Sequence, residues 1–147
     1  MTGVGVERVG AATAEVVDAL VRLVPQLSAG APAPDHRLVE DLVGRPGVDL
    51  LVARVGGEIV GTLTLVTFST PTRARALIED VVVDGAARGH GVGAALLREA
   101  ERLARSAGAQ WIDLTSRPAR EAANRLYRSY GFDLRETNAY RLRLDTS

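Results

Sequence analysis

Val81-Val82-Val83-Asp84-Gly85-Ala86-Ala87-Arg88-Gly89-His90-Gly91-Val92-Gly93-Ala94 reads as a strand, a turn and a glycine-lined entry into a long helix. Three consecutive valines suit a strand covered on both faces. Gly89, Gly91 and Gly93 remove side chains where the backbone begins to coil. From position 92 to 107 the apolar residues Val92, Ala95, Leu96, Ala100, Leu103 and Ala107 recur at helical spacing. The first turn of a helix has N–H groups without intrahelical partners, and the helix dipole makes that end partly positive. A strand that delivers such an end, stripped of side chains, predicts a phosphate site. Arg88 beside it can add a bidentate cation. The plainer alternative is a tight turn with close packing.

The kind of phosphate ligand is a separate question. A Walker loop is excluded, because the chain has no lysine. Gly89-His90-Gly91-Val92-Gly93-Ala94 fits the loose dinucleotide pattern G-x-G-x-x-G/A, and Asp113 lies about 20 residues beyond it. Two features oppose that reading. The glycines follow the strand at a distance of several residues. Only 34 residues follow Asp113 in the 147-residue chain, too few for the remaining strand–helix units.

Arg88-Gly89-His90-Gly91-Val92-Gly93 resembles the acetyl-CoA-binding motif of the GNAT superfamily of N-acetyltransferases, Gln/Arg-x-x-Gly-x-Gly/Ala. Ala123-Asn124-Arg125-Leu126-Tyr127-Arg128-Ser129-Tyr130-Gly131-Phe132 resembles that family's second signature, Ala-x-x-Leu-Tyr-x-x-x-Gly-Phe. The two blocks stand in the family's order and at its separation. The resemblance implies one N-acetyltransferase domain over 1–147. Its fold class would be α/β (α+β): a mixed, mostly antiparallel sheet of six to seven strands, a central parallel pair and about four helices. Acetyl-CoA would be the cosubstrate, and the reaction direct attack of a primary amine on the thioester.

The rest of the chain is consistent with this. Its length suits a single domain with a core of its own. With no cysteine, disulfides and thiolate metal sites are ruled out, and His36 and His90 make no ligand pattern, so no metal is expected. Zero net charge argues against nucleic-acid binding through bulk charge. The N-terminus lacks a long apolar run, so the expectation is a cytoplasmic protein with no membrane partner. Residues 1–70 hold five Arg against eight Asp and Glu, a net of −3, and residues 71–147 hold 13 against ten, a net of +3. The positive excess falls in the half with the proposed phosphate site, as an anionic ligand would favour. Ordinary solvated arginines would give the same asymmetry.

Pattern reading predicts a strand over 4–9 and a helix over 14–24, with Thr13 as cap and Pro25 as stop. A Pro/Ala loop over 28–34 and a helix over 35–43, capped by Asp35 and ended by Gly44, come next. In the resembled family this region shapes the acceptor site, although a surface loop alone would look the same. Strands over 49–55 and 58–68 flank the hairpin signal Gly56-Gly57. A strand over 75–84 feeds the glycine run, and a strand over 111–116 follows the helix, giving a right-handed crossover. Pro118 opens a helix that Gly131 closes, and strands over 133–136 and 139–144 turn near Asn138.

The resemblance assigns the site residues. Val81, Val82 and Val83 would bind the pantetheine arm by backbone groups, as an added strand binds a sheet edge. Arg88, Gly89, His90, Gly91, Val92, Gly93 and Ala94 would hold the pyrophosphate. Tyr127 would contact the cofactor sulfur and protonate the leaving thiolate; the alternative is a core tyrosine with a satisfied hydroxyl. Glu79 is the candidate general base, directly or through water; the alternative is a salt bridge to Arg73 or Arg75. Asp80 is expected on the opposite strand face.

Two positions depart from the family pattern. Arg120 replaces an asparagine that usually holds the pantetheine arm. Asn124, a backbone group, or Arg120 on a phosphate could compensate. Thr115 stands where protein-acetylating members carry glutamate, which disfavours a ribosomal-protein acceptor. The acceptor is then a small-molecule or peptide amine, and a homodimer is compatible with the sequence. The rival functions are a non-catalytic CoA- or nucleotide-sensing domain and a small NAD-type domain.

Overall fold

The structure, a computed structural model, describes residues 3–145 of the chain. The elements run β1 (Val4–Arg8), α1 (Ala14–Leu27), α2 (His36–Val43), β2 (Val48–Val55), β3 (Glu58–Ser69), β4 (Ala74–Val83), a 3-10 turn (Gly85–Ala87), α3 (Val92–Ser106), β5 (Ile112–Asp113) and α4 (Glu121–Tyr130). They group into two compact units, one ending at Thr115 and one beginning at Ser116.

The first unit holds a five-stranded sheet in the order β1-β2-β3-β4-β5. The first four strands pair antiparallel, and β4 pairs β5 in parallel. The mixed α+β class with a parallel pair agrees with the sequence reading. Three details do not. The sheet has five strands, not six or seven; the parallel pair lies at its edge, not its centre; and residues 132–145 form no strand. In that last segment Leu134, Tyr140, Leu142 and Leu144 are 84–90% exposed. Alternating apolar residues make a strand only when a ladder partner and a covering face are available.

The turns follow local chemistry. Thr13 accepts from the Val16 N–H and Asp35 from the Leu38 N–H, capping α1 and α2 as predicted. Pro25 does not stop α1, which runs on to Leu27. A proline in the last turn removes one backbone donor, and the Ser28 N–H still reaches the Val24 carbonyl. Gly56 and Gly57 both take positive φ, as a two-residue hairpin requires. Helix α4 starts at Glu121, three residues after Pro118.

Each face of the sheet has its own cover. On one face Leu50, Val52, Ile59 and Val82 join Val16, Ala19, Leu20 and Leu23 of α1 and Val39 of α2 in a buried cluster. On the other face, a Cβ at Gly61 would lie 2.8 Å from Val92 Cγ1, 3.2 Å from Leu96 Cδ1 and 3.3 Å from the Val82 carbonyl oxygen. The missing side chain lets α3 sit down on β3 at its first turn. Gly61→Ala should therefore overpack this seam and cost about 1–3 kcal/mol. Chemical denaturation of the variant and the wild type checks this.

Candidate active site

Strand β4 does three things that build the site. First, it is bulged. Thr64 pairs with Glu79 and Thr62 with Val82, so Asp80 and Val81 together oppose Leu63. Asp80 absorbs the extra residue at φ +52°, the one positive-φ non-glycine residue described. The strict alternation expected of Glu79 and Asp80 is thus broken. Asp80 sits in the bulge, while register puts Glu79 beside Thr64, on the sheet face that α1 and α2 partly cover.

Second, β4 loses its neighbour. The pairing with β5 covers only Ala76↔Ile112 and Leu77↔Asp113. The predicted strand over 111–116 therefore shrinks to two residues. Beyond Leu77 the β5-facing edge of β4 has no ladder partner among the described residues. The Asp84 N–H donates to the Val60 carbonyl, on the β3 side. By alternation the backbone groups of Val83 and Val81 turn toward the open edge. The Val82 side chain is core, 3% exposed.

Third, β4 ends in a braced turn. The Asp84 carboxylate accepts from the Ala86 N–H, and Gln26 Oε1 accepts from the Gly85 N–H at 3.1 Å. Arg22 Nε lies 3.8 Å from Asp84 Oδ2, and Arg22 also donates to the Ile59 carbonyl. Helix α1 thereby fixes the turn. Sequence reading missed Arg22 and Gln26, because no local pattern joins a helix residue to a turn 59 positions away.

The turn delivers Arg88 and the glycines to the start of α3. Gly89 and Gly91 hold φ of +89° and +75°, and added Cβ atoms there would meet nothing within 4 Å. Gly91 is the N-cap of α3 and offers no side chain to the first turn. The first intrahelical bond runs from the Ala95 N–H to the Gly91 carbonyl. The N–H groups of Val92, Gly93 and Ala94 precede that bond and have no intrahelical acceptor. Arg88 and His90 are exposed beside them. An open space, amide donors and a cation form a cradle that suits a pyrophosphate. Glu79 is exposed and has no ion-pair partner among the described residues, Arg73 and Arg75 included.

The second unit holds Tyr127 on α4. Its ring is 6% exposed and meets Phe132 edge-on at 5.9 Å. Its hydroxyl has no hydrogen-bond partner among the described residues. Burial pushes the Tyr127 pKa above the usual phenol value, against a smaller downward pull from Arg120. The phenol therefore stays protonated through neutral pH. Asn124 Nδ2 donates to the carbonyls of Arg117 and Arg120, at 2.9 and 2.8 Å. That side chain braces the start of α4 with its donors, and only Oδ1 remains.

Residues 17–132 match the acetyltransferase (GNAT) family. The chain belongs to this family. One GNAT relative, the L-amino acid N-acetyltransferase AaaT of Escherichia coli (strain K12), is 33% identical over 108 residues, 70% of this chain and 64% of that protein. The alignment thus spans less than two thirds of the relative's own length. Among solved structures, an aminoglycoside acetyltransferase from an uncultured soil metagenomic sample, in complex with trehalose, superposes with a TM-score of 0.83. It is 20% identical, with 97% of each chain covered. The aminoglycoside N-acetyltransferase AAC(6')-Iy, in complex with CoA, gives 0.80 at 16% identity, covering 99% of this chain and 97% of that one. At these identities the likeness shows the GNAT fold alone. No helix described here is long and apolar enough to cross a membrane, and no group of three or more His, Asp or Glu that could hold a metal ion occurs among the described residues.

Proposed function

We propose that this GNAT chain is a single-domain, acetyl-CoA-dependent N-acetyltransferase acting on a primary amine of a small molecule or peptide. The observation that carries the proposal is the open edge of β4 joined by one short braced turn to the uncapped, glycine-lined start of α3. An extended amide-bearing arm fits the first, and the pyrophosphate attached to it fits the second. A dinucleotide site would not call for the open edge. The names of the relatives point to small amine acceptors, in line with this reading.

Bound acetyl-CoA supplies an activated acyl group. Val81 and Val83 align the arm through their backbone groups, and the amides of Val92, Gly93 and Ala94 with Arg88 hold the phosphates. Glu79, exposed beside the bulge, takes a proton from the acceptor ammonium, directly or through water. The freed lone pair forms the C–N bond to the acyl carbon, and the C–S bond breaks. Tyr127 gives its proton to the departing thiolate and recovers one from the newly formed amide nitrogen through solvent.

The test is release of CoA thiol from acetyl-CoA across a panel of amines, beside thermal shifts with CoA, NAD and ATP. Stabilisation by CoA and amine-dependent thiol release are expected. CoA binding without release from any amine would leave a sensor domain, and stabilisation by NAD alone would replace the proposal with a dinucleotide site. Arg88→Gln should weaken CoA about ten-fold, the worth of one charge-assisted contact. It should also flatten the salt dependence of binding, read by calorimetry at two ionic strengths.

A further inference from the structure

Apart from Glu79, one strip of the sheet has no role in the proposed catalysis. It lies on the face that carries Glu79. Register places Arg75 beside Phe68, Leu77 beside Val66 and Glu79 beside Thr64. On the other side of β4, Asp113 stands beside Leu77. All of these except Glu79 are half-buried, and Glu79 is exposed. The opposite face of the same strands is closed, because Leu63, Leu65 and Ala76 are fully buried and Ile78 is 3% exposed. The strip is the less closed of the two faces beside the open edge of β4.

The two ends of the strip differ in chemistry. Glu79 makes one end acidic, and Asp113 stands level with Leu77; neither has an ion-pair partner among the described residues. The middle is apolar, with Leu77 and Val66. The other end is cationic and aromatic. The Arg75 guanidinium lies 5.0 Å from the Phe68 ring centroid, and that of Arg73 lies 4.2 Å from the Trp111 ring. Cation–π attraction favours keeping each guanidinium over its ring. Arg75 Nε is buried and has no hydrogen-bond partner among the described residues. A buried donor of that strength calls for an acceptor, and no carboxylate of the described residues supplies one.

We infer that the acceptor is an elongated molecule with an amine at one end and a carboxylate at the other, the carboxylate being held by Arg75. This rests on the acetyltransferase reading above and adds the substrate class. The amine would sit between Glu79 and Asp113, about three strand residues from Arg75, or about 10 Å at ~3.3 Å per residue. An α-amino acid is too short to span this. An extended tripeptide, at ~3.3–3.6 Å per residue, matches it. The carboxylate at Arg75 sets affinity and register, and the amide middle lies over Leu77 and Val66.

The test compares glycine, diglycine, triglycine, triglycinamide and a simple alkyl amine as acceptors. Triglycine should exceed both glycine and triglycinamide in kcat/KM by about ten-fold or more, the worth of a charge-assisted contact. Arg75→Gln should erase the difference between triglycine and its amide through KM with kcat kept, and Arg75→Lys should restore part of it. Equal use of triglycine and triglycinamide by the wild type, which needs no variant to fold, overturns the inference. Turnover of alkyl amine alone overturns it too, while acetyl transfer stands. If no amine releases thiol, calorimetry of triglycine and triglycinamide with the CoA-bound protein decides. Tighter binding of the acid supports the carboxylate site, and equal or absent binding overturns it.

Discussion

Gly91→Val is expected to reduce CoA affinity by two orders of magnitude or more while leaving a folded protein. Gly91 sits at φ +75° at the N-cap of α3, a conformation costly for a β-branched residue. An added Cβ meets no protein atom within 4 Å, so the free chain suffers strain without collision. Such strain costs about 1–3 kcal/mol. The added side chain would stand in open space next to the amides of Val92, Gly93 and Ala94, where the proposal puts the pyrophosphate. Gly108→Val is the matched control. Gly108 has φ +79° and equally open surroundings, just beyond the opposite end of the same helix. Both variants should lose similar thermal stability, and Gly91→Val alone should lose CoA binding by calorimetry. Equal CoA affinities in the two would move the phosphates away from this loop.

Tyr127→Phe should lower kcat about 10²-fold, the usual scale of one proton-transfer group, with CoA affinity changed little. The hydroxyl makes no hydrogen bond that the substitution would orphan. The ring contact with Phe132 is kept, so stability should hold or rise slightly. Burial raises the pKa of this phenol. The sign follows: the protonated donor is present below the ordinary phenol pKa near 10 and is lost only as pH rises through the higher folded value. A wild-type kcat profile should therefore show no loss from Tyr127 ionisation between pH 7 and 10. Single-turnover measurements separate this step from product release, and an unchanged chemical rate would remove Tyr127 from the mechanism.

What could be read from the chain was what local chemistry decides. Glycines at 89 and 91, an uncapped helix start, the caps at Thr13 and Asp35, and the Gly56–Gly57 hairpin each follow from a few adjacent residues. What could not be read depends on partners far away in sequence. The bulge at Asp80 and Val81 exists only relative to Leu63 on β3. Ile78-Glu79-Asp80-Val81 does carry a trace of it, since two adjacent charges interrupt the alternation of an otherwise apolar strand. The pattern over 111–116 is good strand sequence, but β5 ends where its neighbour can no longer be reached, at Asp113. The apolar alternation over 133–144 had no way to announce that no ladder would receive it. Arg75 looked like a candidate partner for Glu79. Register four residues apart on one strand, and stacking on Phe68, kept the two ends of the strip separate.

The shortness of β5 carries one more consequence. Unsatisfied strand edges at the rim of a sheet invite other chains and lead to aggregation. Here the unpaired stretch of β4 is short and begins at a closed junction at Leu77 and Asp113, which limits how far a foreign strand could extend along it. A short arm with a bulky charged head can enter such a notch where a long polypeptide stalls. Under the proposed function, the same notch that blocks a growing ladder is where the cofactor arm would lodge.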